Sequence, residues 1–151
     1  MKEMKLLLVD DEEEFVKSLS ERMEMRDLKS DVSLSGEQAL KTMDEDLPDV
    51  MVLDLKMPGM DGMEVLRRAK KAYPGVQIIM LTGHGSEKDE KEARRLGVFE
   101  YLQKPVEFEK LMRTVTNAYK SKFESSMSAV TFAEAGEFDT ARKILEDEKK
   151  K

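Results

Sequence analysis

Asp10, Asp11, Asp54, Thr82 and Lys104 each stand at or just past the end of a short apolar run. Together they offer three carboxylates, a hydroxyl and an ammonium. If those runs lie side by side in one sheet, the five groups meet at one edge of it. Carboxylates crowded within several Å cannot all stay ionised without compensation, and one lysine is too little. A hard divalent cation is the natural complement. Magnesium takes oxygen ligands, often uses only one or two carboxylates, and leaves room for a phosphate. The set therefore suits Mg²⁺ with a phosphoryl group as a further ligand. Each residue also has a plain structural reading. Asp10 or Asp11 could cap a helix, Asp54 could end a strand, Thr82 could satisfy loop backbone, and Lys104 could be a solvated side chain. Taken singly those readings are the stronger ones; taken jointly they weaken.

The elements that would position these groups are legible as a pattern. Apolar runs at Lys5–Val9, Asp31–Leu34, Val50–Leu53, Val76–Leu81 and Val98–Leu102 alternate with longer charged stretches. Most runs are apolar at successive positions, as strands buried on both faces are. Val32 and Leu34 alternate with polar neighbours, which suits an edge strand. Between the runs, Phe15, Val16, Leu19 and Met23 share a helical face. So do Ala39, Leu40 and Met43, then Met63, Val65, Leu66 and Ala69, and finally Phe108, Leu111, Met112, Val115 and Tyr119. Ser35-Gly36, "MPGMDG" at Met57–Gly62, "YPG" at Tyr73–Gly75 and Gly97 punctuate them. A β-α alternation of this kind implies a parallel sheet with right-handed crossovers, doubly wound by helices on both faces. In such sheets ligands sit beyond the carboxyl ends of the strands, where the five chemical residues fall.

Composition narrows the function classes. Acids outnumber bases by 32 to 26, for a net charge of −6. That balance speaks against direct nucleic-acid binding, which needs a basic surface. There is no cysteine and a single histidine, His84, so thiolate metal sites and histidine clusters are excluded. No apolar run approaches the ~20 residues that span a bilayer, and "LLLV" is too short for a signal peptide. The expected location is the cytoplasm.

Read together, Asp10-Asp11, "DVMVLDLKMPGMDG" around Asp54, "LTGHG" around Thr82 and "YLQKP" ending at Lys104-Pro105 resemble the receiver domain of two-component response regulators. The resemblance covers about residues 3–123. It implies a five-stranded parallel sheet in the flavodoxin-like strand order 2-1-3-4-5, after which the helical spacing of the remaining residues points to a C-terminal helical extension. It implies that Asp54 accepts a phosphoryl group from a phosphohistidine on a sensor histidine kinase or histidine phosphotransfer protein. Mg²⁺ would be held directly by Asp11, through water by Asp10, and by Asp54 and the backbone carbonyl of Lys56. Lys104 would pair with the phosphoryl oxygens. Thr82 and Tyr101 would read the mark and alter the face made by the fourth helix, fifth strand and fifth helix, for an unknown downstream protein. Lys56 and His84 fall where the family tunes the lifetime of the phosphate, although two solvated loop side chains is the favoured reading. The chain would be a phosphoacceptor rather than an enzyme acting on external substrates. A phosphorylation-independent scaffold and a metal-dependent phosphohydrolase stand as alternatives; the latter lacks an acid-base carboxylate after Asp54, where Leu55 and Lys56 stand.

Residues 1–123 would complete the receiver domain. The remaining 124–151 is too short for a DNA-binding output domain. Its stripes, Ala129, Phe132 and Ala133, then Phe138, Ala141 and Leu145, are parted by Gly136. They resemble a single tetratricopeptide-like hairpin, although three such repeats are normally needed to stand alone. An accessory tail, or a fifth helix running on through Ser125–Ser128, fits equally. Docking on a second copy to form a homodimer also stays open.

Overall fold

A computed structural model describes the backbone of residues 3–134 and the side chains of residues 3–124. Five strands, β1 (Leu6–Val9), β2 (Ser30–Ser33), β3 (Val50–Leu53), β4 (Gln77–Thr82) and β5 (Glu100–Gln103), alternate with five helices. These are α1 (Glu13–Glu24), α2 (Gly36–Glu45), α3 (Gly62–Ala72), α4 (Glu87–Arg95) and α5 (Phe108–Glu134). All strand pairs are parallel, in the order β2-β1-β3-β4-β5. The expected doubly wound, flavodoxin-like sheet is therefore the observed one, with the alternating strand β2 at an edge.

Strand side chains point to opposite faces in turn, which splits the core in two. Leu7, Val9, Met51, Leu53, Ile78 and Met80 pack with α2, α3 and Ala93 of α4. Leu6, Leu8, Val50, Val52, Ile79 and Leu81 pack with Val16, Leu19 and Met23 of α1 and Leu111, Val115 and Ala118 of α5. Both faces being covered explains why β1 and β3 read as unbroken apolar runs.

Local chemistry sets the helix starts. The Ser35 hydroxyl accepts from Gln38 N–H, and the Asp61 carboxylate from Glu64 N–H. Ser86 and Asp89 form a reciprocal capping box at the start of α4. α5 continues without a break through residues 123–128 to Glu134. The first stripe of the expected hairpin thus falls within α5, and its second stripe lies outside the described residues. Among the described residues, no helix is long and apolar enough to cross a membrane.

Candidate functional site

The sheet ladder runs on past the strand ends and places the polar residues in adjacent rows. Asp10 N–H donates to Ser33 O at 3.1 Å, Asp54 N–H to Val9 O at 2.9 Å, and Lys104 N–H to Thr82 O at 2.9 Å. Asp10 and Asp54 follow β1 and β3, the neighbours between which the strand order reverses. That is the switch point at which open α/β sheets bind ligands. The Lys104–Pro105 peptide that leaves β5 is cis.

These groups are withdrawn from solvent. Asp10 is 4 %, Asp54 3 % and Thr82 0 % exposed. Lys104 Nζ donates to Asp10 Oδ2 at 2.7 Å and to Glu12 Oε1 at 3.2 Å. Asp10 Oδ1 accepts from Glu12 N–H at 2.9 Å, so Asp10 also turns the chain into α1. Asp54 Oδ1 accepts from Leu55 N–H at 2.8 Å. The Thr82 hydroxyl accepts from His84 N–H at 3.2 Å. Gly62 brings α3 hard against the end of β3. Its N–H donates to Leu55 O at 2.7 Å, and a Cβ there would lie 2.0 Å from Asp54 O.

Burial, followed by the charge of Asp10, pushes the Asp54 carboxyl above its ordinary range; Lys104, Thr82 and Leu55 N–H only partly offset this. Burial works to lower Lys104, but hydrogen bonding and charge from Asp10, with the charge of Asp54, outweigh it and raise the ammonium. The site thus penalises the charge on Asp54, a cost that further positive charge would relieve.

Asp10, Glu12 and Asp54 each bring one carboxylate oxygen into a group whose members lie within 4.8 Å of one another. Those three carboxylates face the one ammonium of Lys104. The donor set is all oxygen, short of positive charge and open to solvent at Glu12, which fits a hard divalent cation. Of the residues singled out from sequence, Asp10, Asp54, Thr82 and Lys104 converge. Asp11 sits on the same turn, but its side chain is exposed and outside the group of three. The Lys56 and His84 side chains are exposed. Glu12 escaped the sequence reading. Its signal was the i, i+2 spacing from Asp10 in an extended turn, which returns a side chain to the same side.

Tyr101 is 6 % exposed, its ring tucked beneath the loop after β4. No group among the described residues bonds its hydroxyl. A Cβ on Gly85 would lie 1.5 Å from that oxygen, so only glycine leaves the ring its place.

A flavodoxin-like sheet with an oxygen-donor pocket at its switch point, closed by a lysine from beyond β5, defines the class of domain. Residues 6–116 match the response regulator receiver domain family, and the chain belongs to it. It is 35 % identical over 113 residues to the transcriptional regulatory protein GlrR of Escherichia coli K12, covering 75 % of this chain and 26 % of that protein. It is 42 % identical over 86 residues to the luminescence regulatory protein LuxO of Vibrio campbellii, covering 57 % of this chain and 19 % of that one. The chain therefore spans about a quarter or less of those relatives, with 26 % and 19 % of their lengths matched. A receiver domain from Clostridium thermocellum superposes with a TM-score of 0.75 at 34 % identity, over 79 % of this chain and 96 % of that one. A CheY-like receiver domain from Methanospirillum hungatei shares the fold, with a TM-score of 0.79 at 24 % identity over 82 % and 98 %.

Proposed function

We propose that this receiver domain is a magnesium-dependent phosphoacceptor in a histidine-to-aspartate relay, with Asp54 as the acceptor. The observation that carries this reading is the convergence of buried Asp54 with Asp10, Glu12 and Lys104 at the switch point. A divalent ion would be held by Asp10 and Asp54, with a third carboxylate from the Asp11–Glu12 turn and the Lys56 carbonyl. When bound, it supplies the positive charge that keeps Asp54 ionised and neutralises phosphoryl oxygens.

The chain's own groups then account for the transfer. An Asp54 carboxylate oxygen forms a bond to phosphorus as the P–N bond of a phosphohistidine breaks. The electron pair of that bond stays on the imidazole, which carries its proton on the other nitrogen and leaves neutral. Phosphoryl transfer needs positioning and charge neutralisation more than covalent help. Lys104 provides a mobile cation, and the Thr82 hydroxyl a donor to a phosphoryl oxygen. The β4–α4 loop that follows Thr82 covers Tyr101, so drawing it inward would couple the mark to the α4–β5–α5 face. That coupling is a population shift set by contacts made only with phosphate present. The donor would be a histidine kinase or phosphotransfer protein and the reader a downstream protein. Phosphate uptake and loss are self-directed chemistry rather than turnover of external substrates.

Incubation with acetyl phosphate and Mg²⁺, read by intact mass, tests this. The expected result is one phosphoryl group on the wild type and none on Asp54→Asn or in excess chelator. A wild type that takes no label from acetyl phosphate or any histidine kinase would point to a scaffold instead.

A further inference from the structure

Helical spacing puts Phe15 on the buried face of α1 with Val16, Leu19 and Met23. Only the last three are buried there; Phe15 is 36 % exposed. Its ring leans out of the core and over the mouth of the site. Lys104 Nζ stands 4.3 Å from the ring centroid. The same ring lines, with Asp10, Asp54 and Leu81, a small cleft at the carboxyl ends of the central strands.

We infer that Phe15 is a positioning residue for Lys104, its ring face holding the ammonium at the pocket while the hydrogen bonds of that ammonium reorient. The inference deepens the phosphoacceptor reading and rests on it. Lys104 Nζ already donates to Asp10 and Glu12. To meet a phosphoryl oxygen on Asp54 the ammonium must turn its third N–H toward it, and that turn bends the two bonds it already makes. Hydrogen bonds weaken steeply as their angle closes, so a pivoting ammonium passes through poorly bonded orientations. A lysine stem is flexible and its ammonium strongly hydrated, which favours escape to water during that turn. Attraction to an aromatic face depends on the charge standing over the ring within about 6 Å, not on one N–H direction. Phe15 therefore keeps hold of the cation throughout the pivot. An apolar residue of similar bulk would keep the wall of the cleft and lose the hold.

Two measurements on the whole chain test the assignment. The first needs no phosphate or metal. Lys104 carries ε-methylene protons that ring current shifts upfield in the wild type. Phe15→Leu returns them to ordinary lysine values, and Phe15→Trp keeps them displaced. The second is the initial rate of Asp54 labelling by acetyl phosphate at saturating Mg²⁺. Phe15→Leu is expected to lower it about two- to fivefold, the range of an exposed cation–π contact. Phe15→Trp retains the wild-type rate. Replacing Phe15 by phenylalanines of increasing fluorination, which drains the ring face of negative charge at nearly constant shape, lowers the rate step by step. A purely structural role would not follow that series. Unshifted Lys104 protons, or Phe15→Leu and fluorinated variants that label at the wild-type rate, overturn the inference while the phosphoacceptor reading stands. A wild type that takes no label fails that reading, and the inference falls with it.

Discussion

α1 and α4 leave opposite sides of one pocket, α1 after Asp10 and α4 after Thr82, yet different forces hold them. α1 buries Val16, Leu19 and Met23 and is tied to α5. The Arg22 guanidinium lies 4.2 Å from the Phe108 ring centroid, and Arg26 pairs with Glu109 at 2.5 Å. α4 buries Ala93 alone. Its attachments are a capping box and exposed ion pairs: Arg94 with Glu90 and Glu100, Arg95 with Glu92, and Arg67 of α3 with Glu92. Apolar burial scales with area, whereas exposed ion pairs contribute ~0–1 kcal/mol each and fade with salt. One flank of the pocket is thus part of the global core, and the other can open by itself.

The contrast can be broken most forcefully at Met23, which is fully buried. Met23→Ala should lower global stability by about 2–5 kcal/mol through lost transfer energy and a cavity, seen in urea unfolding. A loss confined to α1 amides in hydrogen exchange, with the global midpoint unchanged, would contradict the rigid-flank reading.

Asp54, between the two flanks, offers the next largest effect. Its folded pKa lies above the ordinary value of 3.8. The native state therefore binds more protons than the unfolded state between those two values, so this residue's contribution falls as pH rises through that window. Asp54→Asn should stabilise the metal-free protein by on the order of 1–2 kcal/mol at neutral pH, the scale of a buried polar group's desolvation. The advantage should shrink towards pH 4. Thermal unfolding of both proteins across that range checks it, and an advantage independent of pH would remove the desolvation argument.

Ser86→Ala strips the capping box and should weaken α4 by about 1 kcal/mol. The loss should speed exchange of α4 amides more than it shifts the global midpoint. High salt should add to the effect in α4 and change α1, held mainly by apolar burial, much less. Equal responses in the two helices would erase the comparison.

The same contrast explains what is legible in the sequence. Buried parallel strands declare themselves as apolar runs, so residue order alone places β1, β3 and β4 and the residues that follow them. Asp10, Asp54, Thr82 and Lys104 follow from that placement because backbone ladders carry them to one edge. Glu12 and Phe15 do not follow, since their roles depend on how the first turn of α1 begins. Glu12 occupies the N-cap position without using its side chain as a cap, which frees that side chain for Lys104. Phe15 keeps the helical period of the core stripe but stands at its margin, beside the buried Val16. Periodicity reports the face of a helix, not how far round it the core reaches.

The Tyr101 oxygen rests in a niche shaped by an absent side chain. Solvation pulls that atom outward, while the ring's apolar carbons favour shelter. Those opposed preferences make the buried position costly for the hydroxyl, and a shift of the neighbouring loop that let water reach it would relieve the cost. Adding a single methyl at position 85 would fill the niche and force the oxygen out of it.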